Sequence, residues 1–388
     1  MLFRSFIIWE INMINKNLAA EGLRGIACII VVLSHLSLTF FPQLHNYFSQ
    51  ENFPSSDFLA SMHNSPFLFF ISGTGAVYIF FILSGYVLTA ANLNAKNPKI
   101  KLKTSIIKRY PRLAIPALCS CIISYLIFHI SIDLSKTTNW FSQLIPQNIS
   151  FLNSIYSSLI TPFIFAESKY NTVLWTMKNE LIGSLIIFYL IYLKNIQKIK
   201  HFYFFSFLFL IISLSISKIF LLGILSFILG MAIYHMQNIN KYLSLFLLIL
   251  GLYFIGFHKT SASYQIIYEA SNHSKKSYDY TIFTGSLFIT YAILKSHYLS
   301  QILSQKVLIN LGKLSFSIYL NHLVILYIIG IPVFNFFIKN LGESFFFSAI
   351  ISSLITIFTS IVFSILFYKL VDKYSINISN KLANYIKK

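Results

Sequence analysis

The sequence has few charged residues and very few acids. Of its 388 residues 11% are charged, and 11 are Asp or Glu against 30 Lys or Arg. Soluble domains contain about 25% charged residues, whereas this chain is 56% hydrophobic and has no hydrophilic run long enough for an attached soluble domain. It has no internal repeat and no low-complexity array. This composition excludes an ordinary soluble protein and indicates a chain that lies mostly in lipid.

Cysteine is also scarce. The three cysteines, Cys28, Cys119 and Cys121, all lie inside apolar runs. Their spacing provides neither a disulfide framework nor a zinc site. We therefore expect no metal site.

The third missing feature is a cleavable signal peptide. The first residues contain Arg4 and a short apolar run, but Glu10 interrupts the run and no small-residue cleavage site follows. We expect residues 1–17 to form a cytoplasmic tail and insertion to begin with the first membrane span. Whether translation starts at Met1 or Met13 stays open.

The formal charge of +19 suggests nucleic acid as one class of partner. The Lys and Arg residues, however, lie in short gaps between apolar runs, as the positive-inside rule predicts for cytoplasmic loops. Membrane topology and anionic lipid account for the charge. The expected partner is therefore the lipid bilayer, and no nucleic acid is expected.

Apolar runs dominate what is present. A helix needs about 20 mainly apolar residues to cross the hydrocarbon. This criterion predicts an all-α integral membrane protein, a bundle of about ten transmembrane helices, at approximately 20–41, 66–91, 113–132, 173–193, 202–217, 219–236, 242–257, 281–295, 314–338 and 345–370. The fifth and sixth are expected to form a tight hairpin near Lys218.

Charge sets the expected orientation. The stretch from Ala95 to Arg112 holds seven Lys or Arg and no acid, which marks it as cytoplasmic. The loops 42–65 and 133–172 are expected outside. Ten spans then place both termini in the cytoplasm, with a transmembrane domain at 18–370 and a basic tail at 371–388.

The first span carries an arginine and a histidine, Arg24 and His35. Eleven helical steps separate them, which places them on one helix face, about 16 Å apart along the axis. Such residues inside spans usually face a protein interior or an aqueous cavity. His35 is suited to proton transfer near neutral pH, and the Arg24 guanidinium to holding phosphate. The alternative is a snorkelling arginine with a structurally hydrogen-bonded histidine.

A pair of arginines precedes the third span. Arg109 and Arg112 are three residues apart and neighbour each other on a helix, and Pro111 is tolerated in a first helical turn. We predict that both project from a helix N-terminus, where anions are favoured, and bind a cytosolic phosphate-bearing donor. A cluster that only orients the chain in the membrane is the alternative.

The fourth span places Glu180 and Ser184 one turn apart on one face, while Lys178 points elsewhere. Catalysis by Glu180 and a structural ion pair with an arginine of another helix are both open. Either role puts Glu180 inside the bundle.

The ninth span carries a polar stripe formed by Ser315, Tyr319 and His322 on an otherwise hydrophobic helix. Three hydrogen-bonding groups on one face orient a ligand or brace another helix. Both interpretations stay open.

Four stretches, taken in order, resemble the acyltransferase-3 family of bacterial integral-membrane acyltransferases: RGIACIIVVLSH, FFILSGY, KRYPR and LGKLSFSIYLNH. The resemblance covers approximately residues 18–370. Its most specific element is an Arg or Lys followed by ten residues and a His in the first helix, matched by Arg24 and His35. The other matches are a Phe-to-Ser-Gly motif and paired arginines: Phe80, Ser84, Gly85, Arg109 and Arg112.

The resemblance implies transfer of an acyl group, usually acetyl from acetyl-CoA, to a hydroxyl of a cell-surface or secreted carbohydrate. The enzyme would lie in the bacterial cytoplasmic (inner) membrane, without the hydrolase-like domain that some members append. His35 carries over as general base or acyl carrier. The other expected site residues are Arg24 and Glu180 for catalysis, Ser84, Arg109 and Arg112 for the donor, and Ser184, Ser315, Tyr319 and His322 for substrate or structure.

A transporter or flippase for a lipid-linked glycan is the alternative function, because buried ionisable residues also mark substrate paths. A purely structural membrane subunit would not explain why an ionisable residue, His35, lies inside an apolar span. Binding of coenzyme A discriminates between enzyme and transporter.

Overall fold

The structure is a computed structural model that describes residues 17–45, 54, 56–271 and 277–385. Within these ranges the chain is helical and has no strand. The predicted tail 1–17, apart from Asn17, lies outside the described residues, as do both candidate start residues and the last three residues of the predicted tail 371–388.

Eighteen α-helices occur in the described residues, and we number them in chain order. The first eight are α1 (Leu18–Phe40), α2 (Asp57–His63), α3 (Gly73–Asn92), α4 (Pro98–Ile127), α5 (Asn139–Ser142), α6 (Phe151–Leu159), α7 (Thr161–Ile164) and α8 (Met177–Asn195). The next five are α9 (Ile199–Ile216), α10 (Lys218–His235), α11 (Lys241–Ile255), α12 (Gln265–Ala270) and α13 (Ser277–Lys295). The last five are α14 (His297–Leu303), α15 (Lys306–Ile325), α16 (Ile331–Asn340), α17 (Phe345–Phe367) and α18 (Lys373–Tyr385).

Three short segments extend these helices. A 3-10 turn, Thr172–Thr176, precedes α8. The π-helical turns Leu326–Gly330 and Tyr368–Asp372 join α15 to α16 and α17 to α18. The last two apolar helices are therefore much longer than a single span requires.

Eight helical segments among the described residues are long and apolar enough to cross a membrane. They coincide with eight of the predicted spans. The other two predicted spans correspond to α11, of 15 residues, and α13, of 19, which pack against each other. The all-α, multi-pass bundle is therefore confirmed, while the count of ten and the cytoplasmic termini stay predictions.

The predicted helix N-terminus near Arg109 and Pro111 was wrong. Helix α4 begins at Pro98, with Asn97 capping it, and runs for 30 residues, so most of the basic stretch is helical. Pro111 lies in the helix interior, where it removes one backbone hydrogen bond but does not end the helix. Proline does occupy the first turn of this helix, at Pro98 and not at Pro111.

The hairpin near Lys218 is confirmed. Only Ser217 separates α9 from α10, and its hydroxyl accepts a hydrogen bond from the Phe220 amide to cap α10. Lys218 forms an ion pair with Asp279 on α13. The short connection requires α9 and α10 to run antiparallel as neighbours.

Three histidines meet where loops close the end of the bundle at which α1 ends. The ring centroid of His258 lies 5.9 Å from that of His45 and 5.8 Å from that of His63. Burial, reinforced by the neighbouring imidazoles, lowers the pKa of His45 to about 3. Burial likewise lowers the pKa of His258 to about 4, against the raising effect of a hydrogen bond with the Gly256 carbonyl. His45 and His258 are therefore neutral near pH 7.

Candidate active site

Helix α1 lies against α15 more closely than most helix pairs. The Asn17 side chain caps α1 by accepting from the Ala20 amide at 3.1 Å. A Cβ added at Gly25 would lie 2.8 Å from the Gly312 nitrogen, and one at Gly312 would lie 2.0 Å from the Glu21 carbonyl oxygen. Small residues let two membrane helices approach in this way. The two polar faces predicted from sequence are therefore brought together.

His35 and His322 form a hydrogen-bonded pair across this contact. The His35 Nδ1 and His322 Nε2 atoms are 2.6 Å apart, and the two rings are inclined by 4°. His322 is 1% exposed, whereas His35 keeps partial exposure. Of the two histidines, His35 is therefore the more accessible.

The tautomers of this pair follow from the backbone. His322 Nδ1 lies 2.9 Å from the Tyr319 carbonyl oxygen and 3.1 Å from that of Ile318. Carbonyls only accept, so Nδ1 of His322 carries a proton, and its Nε2, in the neutral ring, is an acceptor. His35 Nδ1 then donates to it, which leaves the lone pair of a neutral His35 on Nε2. We assign these protons from the hydrogen-bond pattern. The arrangement prepares His35 Nε2 to take a proton.

A cavity of about 270 Å³ opens beside the Arg24 end of α1. Its inner wall includes the buried residues Thr176, Ser315 and Tyr319, and Arg112 on its lining is exposed. Its lining contains seven of the predicted site residues: Arg24, Ser84, Arg109, Arg112, Glu180, Ser315 and Tyr319. His35, His322 and Ser184 are not part of the lining.

Tyr319 lies between the cavity and the histidine pair. Its ring centroid is 6.3 Å from that of His322, and its hydroxyl donates to the Val173 carbonyl at 2.7 Å. Thr176 Oγ1 is 3.1 Å from the same hydroxyl. The 3-10 turn before α8 is thus tied to α15 at the inner end of the cavity.

Arg109 and Glu180 form an ion pair that joins α4 to α8. Arg109 Nε also donates to Ser184 Oγ at 2.8 Å, and Ser84 Oγ donates to Glu180 Oε1 at 2.8 Å. Lys178 instead lies over the Phe220 ring. Of the two roles left open for Glu180, this geometry fits the structural ion pair. The same ion pair occupies Arg109, which the sequence analysis expected to bind the donor.

Comparison with known families assigns the chain. Residues 17–369 match the family model described as an acyltransferase domain. The chain belongs to the acyltransferase-3 family. No match was found among curated proteins or among solved structures. The recognised family and the class of membrane acyltransferase are therefore confirmed.

The charges that line the cavity of this acyltransferase are nearly balanced. Four cationic side chains, Arg24, Arg109, Arg112 and Lys313, face three carboxylates, Glu21, Glu180 and Asp372. Arg24 lies 3.4 Å from Glu21 and Arg109 pairs with Glu180. After these two pairs the lining keeps Arg112, Lys313 and one carboxylate, Asp372, so its net excess is one positive charge, which suits an anionic group.

Several residues of this acyltransferase site were missed by the sequence analysis. They are Glu21, Trp140, Thr176, Lys313, Tyr368 and Asp372. Glu21 sits one turn before Arg24, which is a visible pairing signal. Asp372 follows a span that was expected to lead into a tail, so its position in the cavity wall had no local signal.

Proposed function

We propose that this protein transfers an acyl group, most simply acetyl, from cytosolic acyl-CoA to a hydroxyl of a cell-surface or secreted carbohydrate. The membrane in question would be the bacterial cytoplasmic membrane. The observation that carries the proposal is the His35–His322 pair, whose hydrogen bonds leave a ring nitrogen ready to act as a base. A flippase has no need for an imidazole held in one tautomer.

The donor is proposed to enter at the exposed rim of the cavity. Arg112 and Lys313 would contact its phosphates, with Arg24 deeper on α1. Ligand sites typically have about 300–1,000 Å³, so a cavity of about 270 Å³ fits the narrow thioester arm and leaves the nucleotide at the rim. The thioester would then lie near Thr176 and Tyr319, and reaches the histidine pair past the Tyr319 ring.

The proposed chemistry is direct transfer with His35 as general base. The carbohydrate hydroxyl gives its proton to His35 Nε2 while its oxygen bonds to the acyl carbon. The bond between that carbon and the coenzyme sulfur breaks, and the sulfur leaves as a thiolate. The proton on His35 then passes to the thiolate, which regenerates the neutral imidazole.

The test compares purified wild type with His35→Gln, using radiolabelled acetyl-CoA and de-O-acetylated surface polysaccharide. Gln keeps a hydrogen-bonding side chain but cannot take the proton, so transfer should fall by about 10² to 10⁴. Equal folding of the two proteins is checked by thermal unfolding. Unchanged transfer in His35→Gln contradicts the proposed base, and glycan movement without acyl transfer supports the flippase.

A further inference from the structure

A tryptophan ring stacks on the ring of His35, the proposed base. The Trp140 ring centroid is 5.4 Å from that of His35, and the two planes are inclined by 28°. Trp140 belongs to α5, in the long loop between α4 and α8. The ring is half-buried, whereas the adjacent Phe141 is 2% exposed and belongs to the core.

The position of Trp140 is fixed from α1 itself. A helix leaves its last carbonyls without intrahelical partners, and Thr138 binds two of them in α1. Its Oγ1 donates to the Leu38 carbonyl at 2.8 Å, and its amide to the Thr39 carbonyl at 3.4 Å. Thr39 Oγ1 in turn donates to the His35 carbonyl at 2.8 Å. The loop is thus held to the same helical turn that carries His35.

The indole keeps its polar edge available. Its N–H has no hydrogen-bond partner among the residues that the structure describes, while a tryptophan in a protein core usually finds one. A half-buried indole with a free donor suits a ligand that is apolar on one face and polar at its edge. A pyranose ring has this character, because its C–H groups form a face and its hydroxyls form the rim.

We propose that Trp140 is the acceptor-binding platform: a sugar ring of the acceptor stacks on the indole, the N–H at the indole edge donates to a hydroxyl of an adjoining sugar, and a hydroxyl of the stacked ring is directed past the indole edge to His35 Nε2. This inference rests on the proposed transfer to a carbohydrate. It adds a residue that selects cyclic acceptors over simple alcohols.

The experiment measures acetyl transfer to two acceptors, de-O-acetylated surface polysaccharide and glycerol, which has hydroxyls but no ring face. In Trp140→Leu the KM for polysaccharide should rise about tenfold or more, a larger effect than any change in the rate with glycerol, and the acetyl-CoA KM should stay unchanged. Trp140→Phe keeps a ring and loses only the N–H, so its KM should rise by about fivefold. Phe165→Ala is the matched control, because Phe165 is an exposed aromatic residue on the same loop.

Other outcomes overturn the platform. An equal loss of kcat with both acceptors in Trp140→Leu would mean that the indole only holds His35 in place. Unchanged kinetics would mean that the indole does not touch the acceptor. If Trp140→Leu does not accumulate, an unchanged polysaccharide KM in Trp140→Phe overturns the N–H contact on its own. Absence of transfer in the wild type overturns the proposed function itself, which separates the two failures.

Discussion

His322 is the residue whose role changes most between sequence and structure. In the sequence it completes a polar stripe, whereas in the structure it is the partner that fixes the tautomer of His35. Under the proposed mechanism it is an orienting group, since it contacts the proposed base, His35, and not the reacting atoms. A positioning residue of this kind is tested by conservative replacement.

We expect His322→Leu to lower kcat by about 10²-fold, because a reactive group released from its geometry loses most of its advantage. His322→Gln should retain much of the activity, since its side-chain oxygen can accept a hydrogen bond from the His35 Nδ1–H group. Transfer kinetics at saturating acetyl-CoA measure both variants. Equal activity of the Leu and Gln variants would contradict the orienting role.

The two arginines of α4 are expected to respond differently. Arg112→Lys keeps the charge but loses the bidentate fork, so the donor KM should rise about tenfold. Arg109→Met removes the partner of Glu180, and breaking such a buried pair typically costs about 3 to 5 kcal/mol of stability. Donor KM and thermal unfolding distinguish them. A raised donor KM in Arg109→Met with normal stability would restore Arg109 as a phosphate ligand.

The sequence alone predicts which residues share one face of a helix. The spacing of Arg24 and His35 and the stripe at Ser315, Tyr319 and His322 follow from helical periodicity alone. The contact between His35 and His322 does not, because it depends on the register set by Gly25 and Gly312 between two helices far apart in the chain. Small residues signal close approach but not which helix is approached.

At the scale of elements, the residues around the start of α4 do not by themselves predict where the helix begins. Pro111 is compatible with a first turn and also with a kinked interior, and the basic residues before it are good helix formers. The structure continues the helix back to Pro98, so Arg109 lies deep enough to meet Glu180 from α8.

The burial of His45 and His258 predicts that the folded protein is less stable at acidic pH. The unfolded chain has histidine pKa values of about 6.5, while those of His45 and His258 in the folded protein are about 3 and 4. The unfolded state therefore binds more protons between these values. The free energy of unfolding is therefore highest above about pH 6.5, where both histidines are neutral in the folded and the unfolded chain. It falls as the pH drops towards 4.

Thermal unfolding in detergent from pH 7 to pH 4.5 measures this effect. We expect His45→Phe, which cannot be protonated, to show a smaller drop in melting temperature than wild type. His297→Phe, a histidine outside this cluster, serves as the control. An equal drop in wild type and His45→Phe would remove His45 as a source of the acid sensitivity.

For the molecule as a whole, contacts tie several basic segments to one end of the bundle. The Asn94 amide donates to Asn195 Oδ1 at 3.2 Å, which joins the exits of α3 and α8. Helix α18 packs along α4, the helix that carries the basic stretch. The segments that charge bias assigns to the cytoplasm thus lie together, as one face of a membrane requires.

The orientation that follows is testable in sealed vesicles. The cavity rim at Arg112 belongs to the basic end, so acetyl-CoA, which is charged and does not cross lipid, should support transfer only when that end faces the added donor. We expect inverted vesicles to use external acetyl-CoA and right-side-out vesicles to use it only after permeabilisation. Reporter fusions at Asn94 and Lys388 provide the matched topology control, and both should read as cytoplasmic. Equal use of external acetyl-CoA by intact vesicles of both orientations would mean that the cavity does not face the cytoplasm, and the donor and acceptor sides would have to be exchanged.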